Sequence, residues 1–510
     1  LMTPAPQKDA GTYVYSHADM RTVADQQKRR GIRVPPREIL DDVKKNPITA
    51  TSTLADVKAL VDATAAIPNG QGFWHDTEYD GDWWCIYGHE YDFTPFLTRH
   101  PGGQMMLKLG QGCDCTCMFE TYHVMKNHKQ LLSMIEQYRM HKTIEGQAVP
   151  KPLVPQNDFL EDCKAMMKDH FVTGEGAKEK YPAQHKPSWT RFFWLYAPAF
   201  ITAALFWQTW SAGKWWCFTI MIAQWLIGVN TSHDGGHHAM STRPYVNMAY
   251  LLLSLPVGYH PWVWMHQHDI MHHQNPNDVG RDVDLDHFHP MRLSPRQSHK
   301  YKNLAAHILR YSYSSFYLCV GYPLWWVGIQ LPFPALKPLG LEKQFKKPVN
   351  VAIGAFSVAV SLFVVAQPFY HFAFGDYSLF KAAFFALFPW AGAAIIFICF
   401  TQVNHLQAEC FLPAVLDEPN AIKRQVTTAM DYKQDAMFWQ VMTGGINIQS
   451  MHHCFPSVCS ANFVDVYPKF VEVCRKHNCA INMKASWIEA MTGMLSHMWN
   501  LNTGDFAIEL

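Results

Sequence analysis

The sequence predicts a multi-domain chain: a small mixed α+β domain, then an all-α membrane domain with four transmembrane helices and two interfacial or re-entrant apolar segments. Three observations lead there. Residues 73–145 hold short aromatic runs between Gly-rich turns, the pattern of short strands in a small domain. From Phe192 onwards come six uncharged stretches, at 192–210, 215–232, 244–259, 311–336, 349–370 and 382–404. Beside them sit three clusters: His233-Asp234-Gly235-Gly236-His237-His238, His268-Asp269-Ile270-Met271-His272-His273 and Gln449-Ser450-Met451-His452-His453.

Composition narrows the partners. Lys and Arg number 43 against 42 Asp and Glu, so there is no basic excess to bind nucleic acid. Aromatics at 14% and 18 tryptophans suit a wide lipid–water interface. The 13 cysteines show no spaced framework and read as reduced, cytosol-facing or lipid-buried thiols. Residues 1–72 are polar, with Lys28-Arg29-Arg30 and scattered prolines, and read as an extension without chemistry. No apolar signal-peptide core opens the chain, and its start at Leu1 rather than Met leaves a preceding leader open. Residues 146–190 are charged and Pro-bearing, the character of a linker; 191–490 form the membrane domain and 491–510 a tail.

The clusters constrain the topology. Ten of the 27 histidines fall between residues 233 and 289. Imidazole suits first-row metals, iron among them, and residues four apart share one face of a helix. One such pair alone reads as interfacial histidines or a zinc site; three clusters point to a larger metal centre. A helix needs about 20 apolar residues to span a hydrocarbon core. If 192–210 and 215–232 both cross, the first cluster emerges on the side of the small domain. A crossing by 244–259 would strand the second cluster on the far side, so that stretch lies in the interface or re-enters, as Pro256 and Pro261 suggest. The same parity applies to 311–336, with Gly321, Pro323, Pro332 and Pro334. Four crossings remain, with all clusters on one face. Lys178, Lys180, Lys186 and Arg191 before the first crossing, and Lys343, Lys346 and Lys347 before the third, make that face cytoplasmic.

In the small domain, Trp83 to Asp92 reads as two strands around a turn, leading to His100-Pro101-Gly102-Gly103. Small residues after a histidine let a large planar group approach the backbone. His123 follows, and two histidines can fill both axial positions of a haem iron, favouring electron transfer. Residues 83–123 resemble a cytochrome b5 domain, through Tyr91-Asp92-Phe93-Thr94, Phe96-Leu97, His100-Pro101-Gly102-Gly103, Gly112 to Thr116 and Phe119. The resemblance implies haem b held by His100 and His123, and makes Cys113, Cys115 and Cys117 incidental to metal binding. Acidic Asp76, Glu78, Asp80, Asp82, Glu90 and Asp92 form either a steering surface for a basic reductase, NADH-cytochrome b5 reductase by this resemblance, or a plain solvated face.

The clusters beside paired apolar stretches resemble the membrane fatty acid desaturases. The fused haem domain and Gln449 opening the third cluster resemble the front-end members in particular. Asn275-Pro276-Asn277, Asp282-Val283-Asp284, Thr443 to Asn447 and Phe455-Pro456 also match. The resemblance implies a diiron site on His233, His237, His268, His272, His273, His452 and His453, with Gln449 where related enzymes carry a histidine. It adds His405, at the end of the last apolar stretch. Asp234 and Asp269 are then candidates to orient ligand histidines through the second ring nitrogen, while His238 and His266 are supporting or surface residues.

The implied chemistry explains the residue types: two iron ions and O2 supply an oxidant that no ordinary side chain provides, and a fused haem domain raises the local donor concentration. The expected substrate is an acyl-lipid or acyl-CoA, and the expected site is the endoplasmic reticulum membrane. The expected reaction inserts a cis double bond on the carboxyl side of existing ones, delta-5 or delta-4 rather than delta-6. Ser450, Met451 and Cys454 depart from the family's third cluster, which usually carries an acidic residue before its paired histidines. Competing readings are a sphingolipid long-chain-base desaturase and an inactive haem-binding membrane electron carrier.

Overall fold

The computed structural model describes residues 83–140, 158–173, 185–214, 225–254, 261–278, 282–285, 293–296, 347–416 and 420–503, with breaks of one or two residues. The expected extension at 1–72, the apolar stretch 311–336 and Cys113 lie outside the described residues.

Strand β1 (Trp84–Ile86) pairs antiparallel with β2 (His89–Tyr91), Trp84 opposite Tyr91 and Ile86 opposite His89. Alternation along β1 sends Trp84 and Ile86 inward. Three short helices complete the small domain: α1 (Gln104–Leu109), α2 (Thr116–Tyr122) and α3 (His128–Glu136). The side chain of Asn127 caps α3 by accepting from the Gln130 amide. The core of this domain, including Trp84, Phe93, Leu109 and Phe119, runs without a break into Leu251, Trp262, Trp264, Met265 and Ile270. The two domains therefore share one core.

The stretch expected to be a linker contains helix α4 (Asp158–Lys168). Phe159, Leu160, Cys163, Met166 and Met167 recur at helical spacing and are buried. They pack with Phe463, Val466 and Phe470 in one apolar cluster. Lys164 reaches back to buried Glu120 of α2, which also meets His128 Nδ1 at 3.0 Å and accepts from the Tyr87 hydroxyl. Removing one partner of so buried a pair costs about 3–5 kcal/mol, so α4 is a brace for the haem domain.

Helices α5 (Trp189–Ser211), α6 (Pro348–Phe374) and α7 (Leu379–Phe400) have 23, 27 and 22 residues. They expose large apolar side chains, among them Trp194, Ile201, Trp207, Phe356, Leu362 and Phe380. Among the described residues no helix is long and apolar enough to cross a membrane, so four crossings are not shown. Residues Pro244–Leu251 form an eight-residue helix followed by a 3-10 turn. At 1.5 Å per residue this piece is about 12 Å long, under half a hydrocarbon core.

Two further differences concern the second domain. It is not wholly helical: β3 (Met430–Tyr432) pairs in parallel with β4 (Asn482–Lys484). Asn482 Nδ2 donates to the carbonyls of Thr427 and Ala429, which pins that pair. Most of the expected tail belongs to a packed helix, Trp487–Thr503, which buries Ala490, Met494, Met498 and Leu501. Lys186, read as a cytoplasmic surface charge, is instead buried and donates to the carbonyls of His238 and Ser457.

Candidate metal centre and haem slot

The clusters sit on backbone that departs from the regular helix their spacing suggests. Gly228–Ser232 form a π-helical turn leading into a short α-turn, His233–Gly236. His266–His272 form a second π-helical turn. A π-turn bonds residue i to i+5, so side chains five apart become neighbours. Nε2 of His268 and of His273 accordingly lie 3.2 Å apart, and His268 also stacks near His272 at 5.5 Å between ring centres. In a regular α-helix residues five apart are rotated about 140° from one another, so the wider turn is what brings His268 and His273 together. Gly236 serves a different need. A Cβ there would meet Trp264 Cζ3 at 2.0 Å, and Trp264 stacks on His268 at 4.7 Å.

The third cluster lies on a short helix, Gln449–Cys454, entered through Gly444 and Gly445 at φ +62 and +84. His405 follows a 3-10 turn directly after α7. Folding brings all of these residues together. Nitrogens of His233, His237, His268 and His452 lie within 4.8 Å of one another, and those of His272, His405 and His453 form a second such group. His273 stands between them, with ring centres 4.6 Å from His237 and 4.4 Å from His453. Gln449 places its amide 2.9 Å from His405 Nε2.

The donor set fits metal ions. His405 Nδ1 donates to the Thr428 carbonyl, leaving Nε2 as a lone pair 3.2 Å from His453 Nε2. His237 Nε2 and His452 Nε2 are buried without a hydrogen-bond partner. Ring nitrogens converging in this way, two of them without a hydrogen-bond partner, suit a cation. Burial holds His237, His268, His273, His405, His452 and His453 below the usual imidazole range, hence neutral, the form that binds metal.

His272 differs. Burial lowers its pKa, but Asp282 and Asp284 outweigh that and raise it to about 9. Both oxygens of Asp282 lie 3.1 Å from His272 Nδ1, and Asp284 lies 3.5 Å away. The carboxylates hold the Nδ1 proton and so orient the ring, a role the sequence reading did not assign to them although it singled out the motif. Asp282→Asn should weaken iron retention about tenfold or more. Iron content during a chelator titration, set against unchanged helicity, checks this.

Neither expected orienting carboxylate hydrogen-bonds its neighbouring histidine. Asp269 lies 3.1 Å from His237 Nδ1 but out of line for a hydrogen bond, and that nitrogen meets the Tyr122 hydroxyl at 2.8 Å instead. Asp234 stands 3.8 Å from His233 Nδ1, beyond hydrogen-bond reach, and instead accepts from Tyr196 at 2.6 Å and Ser460 at 3.1 Å. His238, at φ +55, and His266 are both buried rather than on the surface. Ser450 also finds a reason. Its amide and hydroxyl donate to buried Asp431 at 2.9 and 2.5 Å, and Tyr467 donates to the same carboxylate at 2.7 Å. The carboxylate that meets Ser450 is thus carried by β3, while Met451, at the position of the family's acid, packs in an apolar cluster. Spacing offers no signal for that carboxylate, because Asp431 is 19 residues away.

In the small domain, His100 and His123 face each other with ring centres 6.2 Å apart. An iron with bonds of about 2 Å to two imidazole nitrogens would separate the ring centres by about 6 Å. Nδ1 of His100 bonds the Gly103 carbonyl at 3.0 Å and Nδ1 of His123 the Phe119 carbonyl at 2.7 Å, leaving both Nε2 atoms as ligands. A Cβ at Gly102 would press on His100 Cε1 at 2.9 Å, and Gly103 has φ +90, so both glycines are required. The residues fit a haem.

Comparisons with known proteins agree in outline. The profile described as Fatty acid desaturase matches residues 209–485, and that described as Cytochrome b5-like Heme/Steroid binding domain matches 73–174. The chain is 28% identical to the Acyl-lipid omega-13 desaturase of Chlamydomonas reinhardtii, covering 84% of this chain and 95% of the relative. It is 26% identical to the Delta(5) fatty acid desaturase A of Dictyostelium discoideum, over 84% and 92%, and 26% identical to the Acyl-lipid (8-3)-desaturase of Mortierella alpina, over 81% and 92%.

Proposed function

We propose a haem-fed desaturation of lipid acyl chains for this chain, an oxidoreductase that belongs to the fatty acid desaturase family and carries a cytochrome b5-like domain ahead of it. The reaction is insertion of a cis double bond into a polyunsaturated acyl chain, on the carboxyl side of existing double bonds. The observation that carries this reading is the convergence of the three clusters and His405 into two adjacent histidine groups, buried apart from half-buried His268.

His233, His237, His268 and His452 would hold one iron, and His272, His405 and His453 the other, with His273 between them and Gln449 beside His405. Two iron ions there would supply the O2-derived oxidant that an unactivated methylene requires. The protein's own residues perform the remaining tasks. Asp282, Asp284 and the Thr428 carbonyl fix ring orientation, the Tyr122 hydroxyl does so for His237, and burial of every member but half-buried His268 limits access of bulk water. His100 and His123 would hold haem b, reduced by NADH-cytochrome b5 reductase.

The domain boundaries we propose are 73–145 for the haem domain and 191–490 for the desaturase domain. The exposed apolar side chains of α5, α6 and α7 support a membrane position, with four crossings in the endoplasmic reticulum and both cofactor sites facing the cytosol. The tie between Ser450 and Asp431 supports catalysis over an inactive carrier, since the departure in the third cluster removes no metal-facing group.

Expression in yeast fed separately with C18, C20 and C22 polyenoic acids, with double bonds located by mass spectrometry, tests the reading. New bonds on the carboxyl side of existing ones are expected. On a C18 chain omega-13 and delta-5 name the same bond, so the longer acids decide from which end the enzyme counts. Altered long-chain bases with unchanged acyl chains would point to sphingolipid instead, and no product from fully loaded protein would point to an electron carrier.

A further inference from the structure

Helix α2 carries the haem ligand His123 directly after its last residue, Tyr122. The Tyr122 hydroxyl lies 2.8 Å from Nδ1 of His237, a member of the first histidine group, on whose Nδ1 Asp269 also bears at 3.1 Å. The two rings are 6.3 Å apart between centres. A second tie runs in parallel. Gln425 Nε2 donates to Cys117 Sγ of α2 at 3.2 Å and to the His273 carbonyl at 2.5 Å. At the other edge of the haem slot, a Cβ on Gly103 would meet Pro244 Cβ at 2.8 Å, so that turn also presses on the second domain. The shared apolar core and the Glu120–Lys164 pair hold α2 in place.

From this contact we propose that Tyr122 is a positioning residue for electron delivery, coupling the haem ligand His123 to the metal ligand His237 in a fixed docking of the two domains. The haem domain then works as a built-in wall of the metal centre rather than as a tethered shuttle. One continuous route from one cofactor site to the other crosses the backbone between His123 and Tyr122, the Tyr122 ring, and one hydrogen bond. In the step served, one electron leaves reduced haem and one ferric iron takes it up; no covalent bond forms or breaks. The inference rests on the proposed reading in one respect, that iron occupies the histidine groups and haem the slot between His100 and His123.

The test uses full-length protein loaded with haem and iron, without O2, its haem reduced by a limiting amount of dithionite. Reoxidation of the haem is followed by its visible absorbance. Wild type should reoxidise, and iron-depleted protein should stay reduced. Tyr122→Phe should keep its haem, iron, haem midpoint potential and thermal midpoint, yet reoxidise about tenfold more slowly or worse, in keeping with the cost of ångström-scale changes in reacting geometry. Equal rates in Tyr122→Phe and wild type would overturn the proposal. Loss of haem or iron in the variant would do so too, by assigning Tyr122 a structural role. Absence of reoxidation in loaded wild type would overturn the internal-donor reading itself, independently of Tyr122.

Discussion

His405→Ala should yield a folded protein that retains about half of its iron and makes no desaturated product. The residue belongs to no histidine cluster, yet it supplies one of three nitrogens in the group with His272 and His453. Its Nδ1 is spent on the Thr428 carbonyl, so its Nε2 can serve only the interior, where Gln449 and His453 also point. Without it, His272 and His453 are left with a carboxamide, too weak a set to hold the second ion. The group of His233, His237, His268 and His452 keeps all its members. Iron per protein, measured beside product formation in the yeast assay, checks both halves of the expectation. Full iron with normal turnover would remove His405 from the metal centre.

The second large effect is expected at the other cofactor. His100→Ala should abolish haem binding and activity while leaving iron in place. His100 and His123 face each other across the slot, and a single imidazole cannot hold a bis-histidine haem. Neither residue belongs to the two metal groups, so iron should remain. Visible absorbance for haem, iron assay and product analysis on one preparation give the three readouts. Normal turnover in protein without haem would sink the role of the fused domain as electron donor.

Much of this site was legible from spacing. Histidines at HxxxH and HxxxHH intervals announce a metal centre because donors of one chemical type recur where a helix can present them together. The sequence His100-Pro101-Gly102-Gly103 announces a planar ligand, since Gly102 and Gly103 are required for steric reasons that any such fold would share. His405 came only through family resemblance, as a lone histidine has no periodicity to mark it. Helix α4 was hidden because its buried positions alternate with charges in a Pro-bearing stretch, and that polarity resembles a linker. The parallel pair β3 and β4 was hidden because strands of three residues carry too little alternation to register.

By itself, then, the sequence determined which chemistry the protein can hold: haem-binding histidines in one segment, and enough imidazoles beside apolar stretches for two metal ions. Those follow from local pattern, in which ligand type and spacing are written residue by residue. Only the tertiary structure decided how the donors are shared out. The π-turn at His266–His272 brings His268 beside His273, Asp431 accepts from Ser450, and Tyr122 reaches from the haem domain to His237. The physical reason is the same in each case. These contacts join residues from different turns, strands or domains, and their geometry exists only once the shared core has brought the chain segments together.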